Sequence, residues 1–415
     1  MTLSGTEARD FLPYGRQTIE DDDVAAVSEA LRSGWLTTGP AVQGFEDALS
    51  ARVGARFTVA CSNGTAALHL AALALDMAPG DRVVVPSLTF LATANGPHHA
   101  GAEIIFADVD PETGLMGPDD LAAAFARADA SEGGPVRAAF PVHMNGQCGD
   151  LDAIERLCAE RDVAVVYDAA HALGTTYRTG GANDERSVGD SRQGTMSAFS
   201  FHPVKAIAMG EGGAVTTGDE EIAARLRRLR NHGMSRDASD FQNRNLAFDA
   251  AGEPNPWYYE MTAPGFNYRV SDINCALAIS QLSKLDRFVA RRRALAERYD
   301  RLIEELAPMV VPVGRVASCE PAWHLYVVLI DFAAAGTDRA AVMRALNQRG
   351  IGTMVHYLPV HLQPYYRDRY GPLDLPGARK YYERALSLPL FPTMADEDID
   401  RVVDALTDVL EMKAS

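Results

Sequence analysis

Short apolar runs alternate with helical patterns through the first half of the sequence, and this alternation constrains the fold more than any other feature. Runs of strand type cover residues 82–86, 103–109, 136–142 and 163–168, with helical patterns at 121–128 and 151–161 between them. Strands separated by helices form parallel sheets with helices packed on their faces. Two further strand-type runs, at 195–201 and 213–217, follow each other too closely for that pattern. We therefore predict an α/β domain built on a mixed, mostly parallel sheet.

The last third of the sequence repeats the alternation on a smaller scale. A charged helix is predicted at 219–231, and Ser271 can cap a long helical region at 272–306 in which one break is allowed for. Strand, helix, strand and helix patterns follow at 324–330, 338–349, 353–357 and 396–413. Because 415 residues exceed the usual size of one domain, we predict two. These are an N-terminal arm with a large domain over 1–255, and a smaller C-terminal α+β domain over 256–415.

The formal charge of the chain excludes one large class of partners. The sequence contains 39 Lys and Arg residues against 56 Asp and Glu residues, a formal net charge of −17 at pH 7. A field of that sign repels phosphodiester backbones, so we expect no nucleic-acid partner. It is compatible with a local basic pocket for one phosphorylated small molecule.

Cysteine usage and hydropathy favour a cytoplasmic protein. The five cysteines are an odd number, widely spaced and without a C-x-x-C pair, which favours reduced thiols over a disulfide framework. Residues 1–10 contain no apolar segment of the kind found in secretory signals. The longest uncharged run, at 58–75, includes Ser, Asn, Gly, Thr and His and is a poor membrane span, so we expect no membrane partner. No metal-ligand spacing is present, and we predict no metal site.

Lysine is rare in this chain, which narrows the choice for any chemistry that needs an amine. Only four are present: Lys205, Lys284, Lys380 and Lys413. Lys205 follows the strand at 195–201 and precedes a Gly-rich stretch at 210–213, where the backbone can turn tightly or approach a ligand. The ordinary interpretation of a lysine after a strand is a solvated side chain, and the other three lysines fit that interpretation better.

Two further segments are suited to a phosphate and to a ring nitrogen. CSNGT at 61–65 opens a helical run, where free backbone N–H groups and the helix dipole attract a phosphate. An ordinary N-cap explains the same residues. Asp168 ends an apolar strand, at the sheet edge where α/β proteins bind ligands, and a buried carboxylate there needs a cation such as a protonated pyridine nitrogen. A helix cap explains Asp168 equally well, and His171 either reaches the same ligand or is an ordinary polar residue.

We call the turn at 61–65 the phosphate seat. Together with a strand-end aspartate and a loop lysine, in this order, such a seat is what a protein needs to hold pyridoxal 5′-phosphate. The seat would anchor the phosphate, Asp168 would keep the ring nitrogen protonated, and Lys205 would form an imine with the aldehyde. Phe90 is a candidate for stacking on the ring, with core packing as the alternative. We therefore predict that pyridoxal phosphate is the cofactor and that Lys205 carries the proton in the reaction.

The same segments resemble the DegT/StrS family of sugar-nucleotide aminotransferases, which are fold-type I pyridoxal phosphate enzymes. The matching stretches are SNGTAAL at 62–68, DAAH at 168–171, SFHPVK at 200–205, GEGG at 210–213 and GFNYR at 265–269. The resemblance implies that Lys205 is the Schiff-base lysine, Asp168 the partner of the pyridine nitrogen, and His171 a neighbour of the phenolic oxygen. It also implies further cofactor contacts: Asn63, Gly64, Thr65, Phe90, Ser200 and Asn267. Because Asn267 would be reached from the neighbouring subunit, the resemblance implies a homodimer with shared active sites.

Three other stretches resemble one branch of that family, the transaminases of pseudaminic acid biosynthesis. They are FLPYGRQT at 11–18, PWYYEM at 256–261 and WHLYV at 323–327. The resemblance implies glutamate as the amino donor, with 2-oxoglutarate released, and the C4 keto group of a UDP-linked 2-acetamido-2,6-dideoxy-hexos-4-ulose as the acceptor. Rings with polar tips suit such a nucleotide sugar, and the candidate contacts are Tyr14, Trp35, His324, His356 and Tyr357.

Other functions stay open at this point. The chain could aminate another keto sugar nucleotide, for example in perosamine- or bacillosamine-type 4-amination. It could also be a non-catalytic sensor of a sugar nucleotide on the same fold, although the intact Asp168 and Lys205 argue against that. A nicotinamide-dependent sugar enzyme lacks support because no dinucleotide-binding glycine fingerprint follows a strand.

Overall fold

A computed structural model describes residues 11–179, 184–192 and 194–411 of the chain. The first ten residues, where no secretory signal is expected, and Lys413 therefore lie outside the described residues. The strands of the described part are β1 (Phe57–Cys61), β2 (Arg82–Pro86), β3 (Glu103–Ala107), β4 (Val136–Ala139), β5 (Ala164–Asp168), β6 (Thr176–Arg178), β7 (Glu185–Ser187), β8 (Met196–Ser200), β9 (Gly213–Thr217), β10 (Met234–Ser235), β11 (Glu260–Met261), β12 (Val310–Pro312), β13 (Cys319–Glu320), β14 (Tyr326–Ile330) and β15 (Ala385–Leu388).

A seven-stranded sheet forms the centre of the fold, in the order β1-β9-β8-β5-β4-β2-β3. Adjacent strands from β3 to β8 pair in parallel, whereas β9 runs antiparallel to both β8 and β1. This is the mixed, mostly parallel sheet that the alternation predicts. The alternation described above begins at 82–86 and does not include β1, which directly precedes the turn at 62–65 and α3.

Helices cover the sheet and form most of the C-terminal part. They are α1 (Asp21–Arg32), α2 (Pro40–Val53), α3 (Gly64–Ala74), α4 (Leu91–His99), α5 (Pro118–Asp129), α6 (Leu151–Ala159), α7 (Glu220–Arg230), α8 (Arg244–Ala247), α9 (Asp272–Leu282), α10 (Leu285–Ile303), α11 (Arg339–Gln348), α12 (Pro364–Tyr370), α13 (Pro376–Arg384) and α14 (Asp396–Glu411). The helical region predicted at 272–306 is broken between α9 and α10, and Ser271 caps it by accepting a hydrogen bond from the Asn274 N–H.

The Ala- and Leu-rich sequence of α3 explains where the site forms. Small and apolar side chains let this helix be buried against α4, β8 and β9. Burial on several sides fixes the helix axis, so the N-terminus of α3 is held beside the ends of β8 and β9. The free N–H groups of its first turn therefore lie at the same edge of the sheet as the end of β5.

The C-terminal part contains a smaller antiparallel sheet in the order β12-β14-β15. The strand predicted at 324–330 is β14, but the strand predicted at 353–357 does not form. Met354 makes one bridge to Ser387, and the side chains of His356 and Tyr357 enter the cavity described below. Because β13 pairs with β6 of the preceding part, the domain boundary between residues 255 and 256 stays a prediction.

Several further features follow from the described residues. All five cysteines are free and buried. No helix among 11–179, 184–192 and 194–411 is both long and apolar enough to cross a membrane. The same residues contain no cluster of three or more His, Cys, Asp or Glu side chains arranged to hold a metal ion.

A buried ion pair holds α1 against the junction of α9 and α10. Lys284 Nζ lies 2.6 Å from an oxygen of Asp22 and 2.6 Å from one of Asp23. Asp23 is fully buried and accepts further hydrogen bonds from Ser280 and Gln281. Burial would raise the pKa of Asp23, but the hydrogen bonds from Lys284 and Ser280 hold it below its usual value. The fold therefore depends on Lys284 for neutralising a carboxylate that water does not reach.

Replacing Lys284 with methionine should lower the free energy of unfolding by about 3–5 kcal/mol, because Asp23 is left buried and unpaired. Urea unfolding followed by circular dichroism measures this loss. Lys380→Met is the matched control: its ammonium is exposed and lies 3.5 Å from Glu112, so its loss should cost less than about 1 kcal/mol. Equal unfolding midpoints for the two variants would contradict this role of Lys284.

Candidate active site

A cavity of about 710 Å³ opens at the carboxyl ends of β5 and β8, next to the N-terminus of α3. This is the sheet edge where α/β proteins bind ligands. Most of the predicted site residues line it: Tyr14, Asn63, Gly64, Thr65, Phe90, Asp168, His171, Ser200, Lys205, His324, His356 and Tyr357. Trp35 and Asn267 do not line it, and both are exposed.

The predicted phosphate seat is the first turn of α3. Asn63 caps this helix, since its side-chain oxygen accepts a hydrogen bond of 2.8 Å from the Ala66 N–H. The oxygen of Asn63 is therefore already used, whereas Gly64 and Thr65 line the cavity and their N–H groups, in the first turn of the helix, have no acceptor within it. A Cβ atom at Gly64 would lie 2.7 Å from Cβ of Ser200, so only glycine lets the turn approach this serine. The ordinary N-cap and the phosphate seat are thus both present in one turn.

Asp168 ends β5 with its carboxylate buried at the base of the cavity. One oxygen accepts a hydrogen bond of 2.7 Å from the Thr93 hydroxyl, and the other accepts one of 3.1 Å from the Ala170 N–H. Burial raises the pKa of Asp168, and these donors and the charge of Lys205 offset only part of that effect. A cation in the cavity at this point would therefore be stabilised by the carboxylate.

Lys205 reaches the same cavity from the turn after β8. Its backbone N–H donates to the His202 carbonyl at 2.8 Å, which closes the turn that follows Phe201. Burial lowers the pKa of Lys205 to about 8, and the charge of Asp168 counteracts part of this shift. About a tenth of such an amine is unprotonated near pH 7, against less than a thousandth of an ordinary lysine.

Three histidines and a tyrosine surround the lysine. The rings of His171 and His324 lie with centroids 4.3 Å apart, and His171 Nε2 lies 3.2 Å from the Tyr357 hydroxyl. His356 Nδ1 lies 2.8 Å from the Ser387 hydroxyl. Burial and the charge of Lys205 lower the pKa of all three histidines, that of His356 to about 3. The cavity thus offers uncharged rings with polar atoms near neutral pH.

Aromatic side chains form the outer wall of the cavity. Phe90 is the N-cap residue of α4 and half exposed, so its ring faces the cavity and not the core. Its centroid lies 5.9 Å from that of Tyr357. Tyr14 lies 5.4 Å from His356, measured between ring centroids, and its carbonyl accepts a hydrogen bond from the Leu390 N–H. The position of Phe90 favours the stacking role over core packing.

Sequence reasoning missed several residues of this site. Thr93 holds the carboxylate of Asp168 and is in turn 2.7 Å from the Thr89 hydroxyl. Two hydroxyls four residues apart around the start of α4 are a weak signal that the sequence alone does not connect to Asp168. Tyr268, His202 and Glu211 also line the cavity; they lie within the stretches at 265–269, 200–205 and 210–213, but sequence reasoning gave them no role of their own.

The residues around this cavity fit pyridoxal phosphate. The buried carboxylate of Asp168 faces the cavity without a full countercharge, which suits a protonated ring nitrogen. The turn at Gly64 is open only because the residue has no Cβ, which suits a phosphate. Nδ1 of His171 is buried without a hydrogen-bond partner, which suits a polar ring substituent. Lys205 supplies the amine.

Comparisons with known proteins agree with this arrangement. Residues 17–407 match the DegT/DnrJ/EryC1/StrS aminotransferase family. The spore coat polysaccharide biosynthesis protein SpsC of Bacillus subtilis is 40% identical over 408 residues, which cover 97% of each chain. The structure of PseC from Helicobacter pylori, an aminotransferase of pseudaminic acid biosynthesis, superimposes with a TM-score of 0.84 at 25% identity, covering 97% of this chain and 100% of that one. Spr1654 of Streptococcus pneumoniae in its PLP form gives 0.83 at 26% identity, covering 98% and 100%.

These matches extend over nearly the whole chain and are not confined to the motifs. The family match at 17–407 contains every residue that lines the cavity except Tyr14. The sheet order and the cavity at its carboxyl edge are those expected of fold type I. The chain therefore belongs to the DegT/DnrJ/EryC1/StrS aminotransferase family and is a pyridoxal-phosphate-dependent aminotransferase of fold type I.

Proposed function

We propose that this enzyme moves an amino group from glutamate to the C4 keto group of a UDP-linked 2-acetamido-2,6-dideoxy-hexos-4-ulose, giving a 4-amino sugar nucleotide for pseudaminic acid biosynthesis. The observation that carries the proposal is that Lys205, Asp168 and the turn at Gly64 meet in one cavity of about 710 Å³. The likeness to PseC and the stretches at 11–18, 256–261 and 323–327 support the particular sugar.

A second candidate has an observation of its own. The 40% identity to SpsC favours a related transamination that supplies a spore-coat-type polysaccharide with a different amino sugar. Both candidates use the same lysine and aspartate, so they differ only in the residues that contact the sugar. Of the predicted sugar contacts, Tyr14, His324, His356 and Tyr357 line the cavity.

Two residues of the chain divide the chemistry between them. Pyridoxal phosphate, when bound, supplies an aldehyde carbon that reacts with amines and a ring that accepts electrons. The carboxylate of Asp168 would keep a proton on the ring nitrogen of the bound cofactor. Lys205 Nζ, once free, takes a proton from the substrate carbon and gives it to a carbon of the cofactor. This transfer requires an amine that is partly unprotonated near neutral pH. The burial that lowers the pKa of Lys205 to about 8 serves this purpose.

A second copy of the chain completes the site in this proposal. The lining of the cavity among the described residues contains no arginine and one lysine, together with the carboxylates of Asp168 and Glu211. A nucleoside diphosphate needs more positive charge than this. Exposed apolar side chains, including Trp257 with 73% exposure, Tyr259 and Met261, precede the exposed Asn267 along the chain. We therefore include a homodimer in which Asn267 serves the neighbouring site.

The remaining assignments are part of the same proposal. The cofactor contacts are Asn63, Gly64, Thr65, Phe90, Ser200, His171 and, from the neighbouring copy, Asn267. The division into residues 1–255 and 256–415 assigns the cofactor to the first part. The reaction takes place in the cytoplasm, since five free, buried cysteines are typical of a reducing compartment.

A panel of keto sugar nucleotides tests the function. With glutamate as donor, purified enzyme should aminate the UDP-linked 4-keto sugar with a kcat/KM at least about tenfold above that for other 4-keto and 3-keto sugar nucleotides, because only that sugar would fit every polar contact. Product analysis by mass spectrometry and NMR reads the carbon that is aminated and its configuration. Amination of a different sugar as the preferred substrate would favour the second candidate.

Lys205→Ala is the control that ties this activity to the site. Borohydride treatment of the wild type should attach the cofactor to the peptide containing Lys205, and the variant should show neither this attachment nor turnover. Attachment to Lys284 or Lys380 instead would show that the lysine has been assigned wrongly.

Replacing Gly64 with alanine should weaken cofactor retention by at least about tenfold. The added Cβ would lie 2.7 Å from Ser200 Cβ and so push the turn out of reach of a phosphate. Equilibrium dialysis against pyridoxal phosphate measures the change. Gly149→Ala is the matched control, since its nearest non-neighbouring atom would be the Met116 carbonyl oxygen at 3.6 Å, an ordinary contact. Equal retention by both variants would contradict the phosphate seat.

Subunit complementation tests the shared site. Lys205→Ala and Asn267→Asp should each be nearly inactive, the second because a carboxylate repels the cofactor phosphate. In a hybrid dimer one site would carry both changes and the other neither, so hybrid dimers should recover about half of wild-type activity. Steady-state assays after co-expression and purification with two tags measure the recovery. No recovery in verified hybrid dimers would place Asn267 in the site of its own chain, and full activity of Asn267→Asp alone would place it outside the site.

A further inference from the structure

The side chain of His324 is in hydrogen-bond contact with the amine of Lys205. Its Nε2 lies 3.4 Å from Lys205 Nζ, and its ring packs against that of His171. Catalytic hydrogen bonds are often long before substrate is present, so this distance is compatible with a working contact. His324 is buried, and its Nδ1 has no hydrogen-bond partner among the described residues.

We propose that His324 acts on Lys205 and not on the sugar: its neutral imidazole accepts a hydrogen bond from the free amine, and Arg292 positions His324 through its backbone. This inference rests on the proposed role of Lys205 as the residue that carries the proton. It adds a partner that holds the amine in place during the interval when the lysine is free.

The backbone of His324 is held from two sides. Its N–H donates to the Asn145 carbonyl at 3.1 Å. Its carbonyl accepts a hydrogen bond of 3.3 Å from Arg292, which also donates to the carbonyls of Trp323 and Leu390. The segment before β14 is thereby fixed in register with the turn at 144–146, which holds the backbone of His324 beside the end of β8.

Arg292 is an unusual residue for this task. It is 1% exposed and the largest fully buried side chain of the described residues, among which its hydrogen-bond acceptors are three carbonyls and no carboxylate. Burial lowers the pKa of Arg292 to about 10, so it stays charged. It also borders a small second cavity together with Lys205. A buried cation without a countercharge is costly, and here it keeps positive charge behind the His324 ring, which opposes protonation of that ring.

A neutral His324 is what the proposed contact requires. The ring can accept from the amine only while Nε2 carries no proton. Burial, followed by the charges of Lys205, His171, Arg292 and His356, lowers the pKa of His324 well below its usual value. With one N–H of the amine directed at Nε2, the lone pair of Lys205 is free to take a proton from the substrate carbon. After that step the ammonium still donates to His324, so the contact persists and the proton can be returned.

Labelling of the apoenzyme provides a test that needs no turnover. A water-soluble reagent that acylates unprotonated amines is reacted at a series of pH values, and peptide mass mapping follows each lysine. The titratable groups that line the cavity with Lys205 are Tyr14, Asp168, His171, His202, Glu211, Tyr268, His324, His356 and Tyr357, and Arg292 borders the second cavity with it. The labelling midpoint of Lys205 therefore reports their sum, and substitutions at His324 isolate one contribution.

Removing the acceptor should shift that midpoint in a defined direction. A neutral acceptor stabilises the ammonium form more than the amine, so its loss lowers the pKa of the lysine. In His324→Leu we expect the midpoint of Lys205 to fall by about one pH unit. In His324→Gln, whose side-chain oxygen can accept, we expect at least half of that shift to be restored. An unchanged midpoint in His324→Leu, or equal shifts in both variants, would overturn the proposal.

The other lysines of the chain serve as internal controls. Lys284 is buried in its ion pairs and should stay unlabelled as long as the fold is intact, whereas the exposed Lys380 reports the reagent itself. If Lys284 becomes labelled in the leucine variant, the comparison is made in the wild type by ¹⁵N NMR of histidine-labelled apoenzyme. The Nε2 resonance of His324, assigned by its absence in His324→Gln, should move as Lys205 titrates. A resonance that does not move would overturn the proposal.

The outcome is separable from that of the proposed function. If borohydride attaches the cofactor to another lysine, the proposed role of Lys205 is wrong, whatever the labelling midpoints are. If borohydride labels Lys205 and the midpoints do not respond to His324, the function stands and the role of His324 fails.

Discussion

The carboxylate of Asp168, buried at the end of β5, is the constraint on which the rest of the site depends. Its hydrogen bonds to Thr93 and the Ala170 N–H stabilise it only in part, and burial still raises its pKa. A carboxylate in that condition favours any cation that enters the cavity. Lys205 enters from the next strand of the sheet and a protonated ring nitrogen would enter from the solvent side. Burial of this carboxylate is therefore unfavourable, and a protonated ring nitrogen beside it would offset that cost when the cofactor binds.

The same burial sets the behaviour of the lysine. Desolvation disfavours charge on both groups, so it raises the pKa of Asp168 while it lowers that of Lys205 to about 8. The attraction between the two charges lowers the pKa of Asp168 and raises that of Lys205, which keeps both pKa shifts moderate. Uncharged histidines fill the remaining space, which prevents additional countercharges from returning the lysine to its ordinary range. An amine that changes protonation near neutral pH is a consequence of this packing.

The sequence predicts the parts of this site that short motifs carry, and not those that depend on packing. Gly64, Asp168 and Lys205 follow from strand ends and turns, because local backbone chemistry determines where such residues are placed. Thr93 and Arg292 could not be predicted, since each acts through contacts with residues far away in sequence. The strand expected at 353–357 does not form because His356 and Tyr357 turn into the cavity, and Trp35 lies outside it although its residue type suits a nucleotide sugar.

The residues that line the cavity come from two parts of the fold, and this indicates how the same transamination chemistry can act on different sugars. Asp168, Lys205 and the turn at Gly64 all belong to the central sheet or to the helix buried against it, where a change of geometry would disturb many packed neighbours. His356 and Tyr357 come from a segment that flanks the smaller sheet, on irregular backbone that makes one bridge to β15. Irregular segments tolerate substitution better than buried strands. Substrate preference can therefore change through the C-terminal segments while the lysine and the aspartate keep their positions.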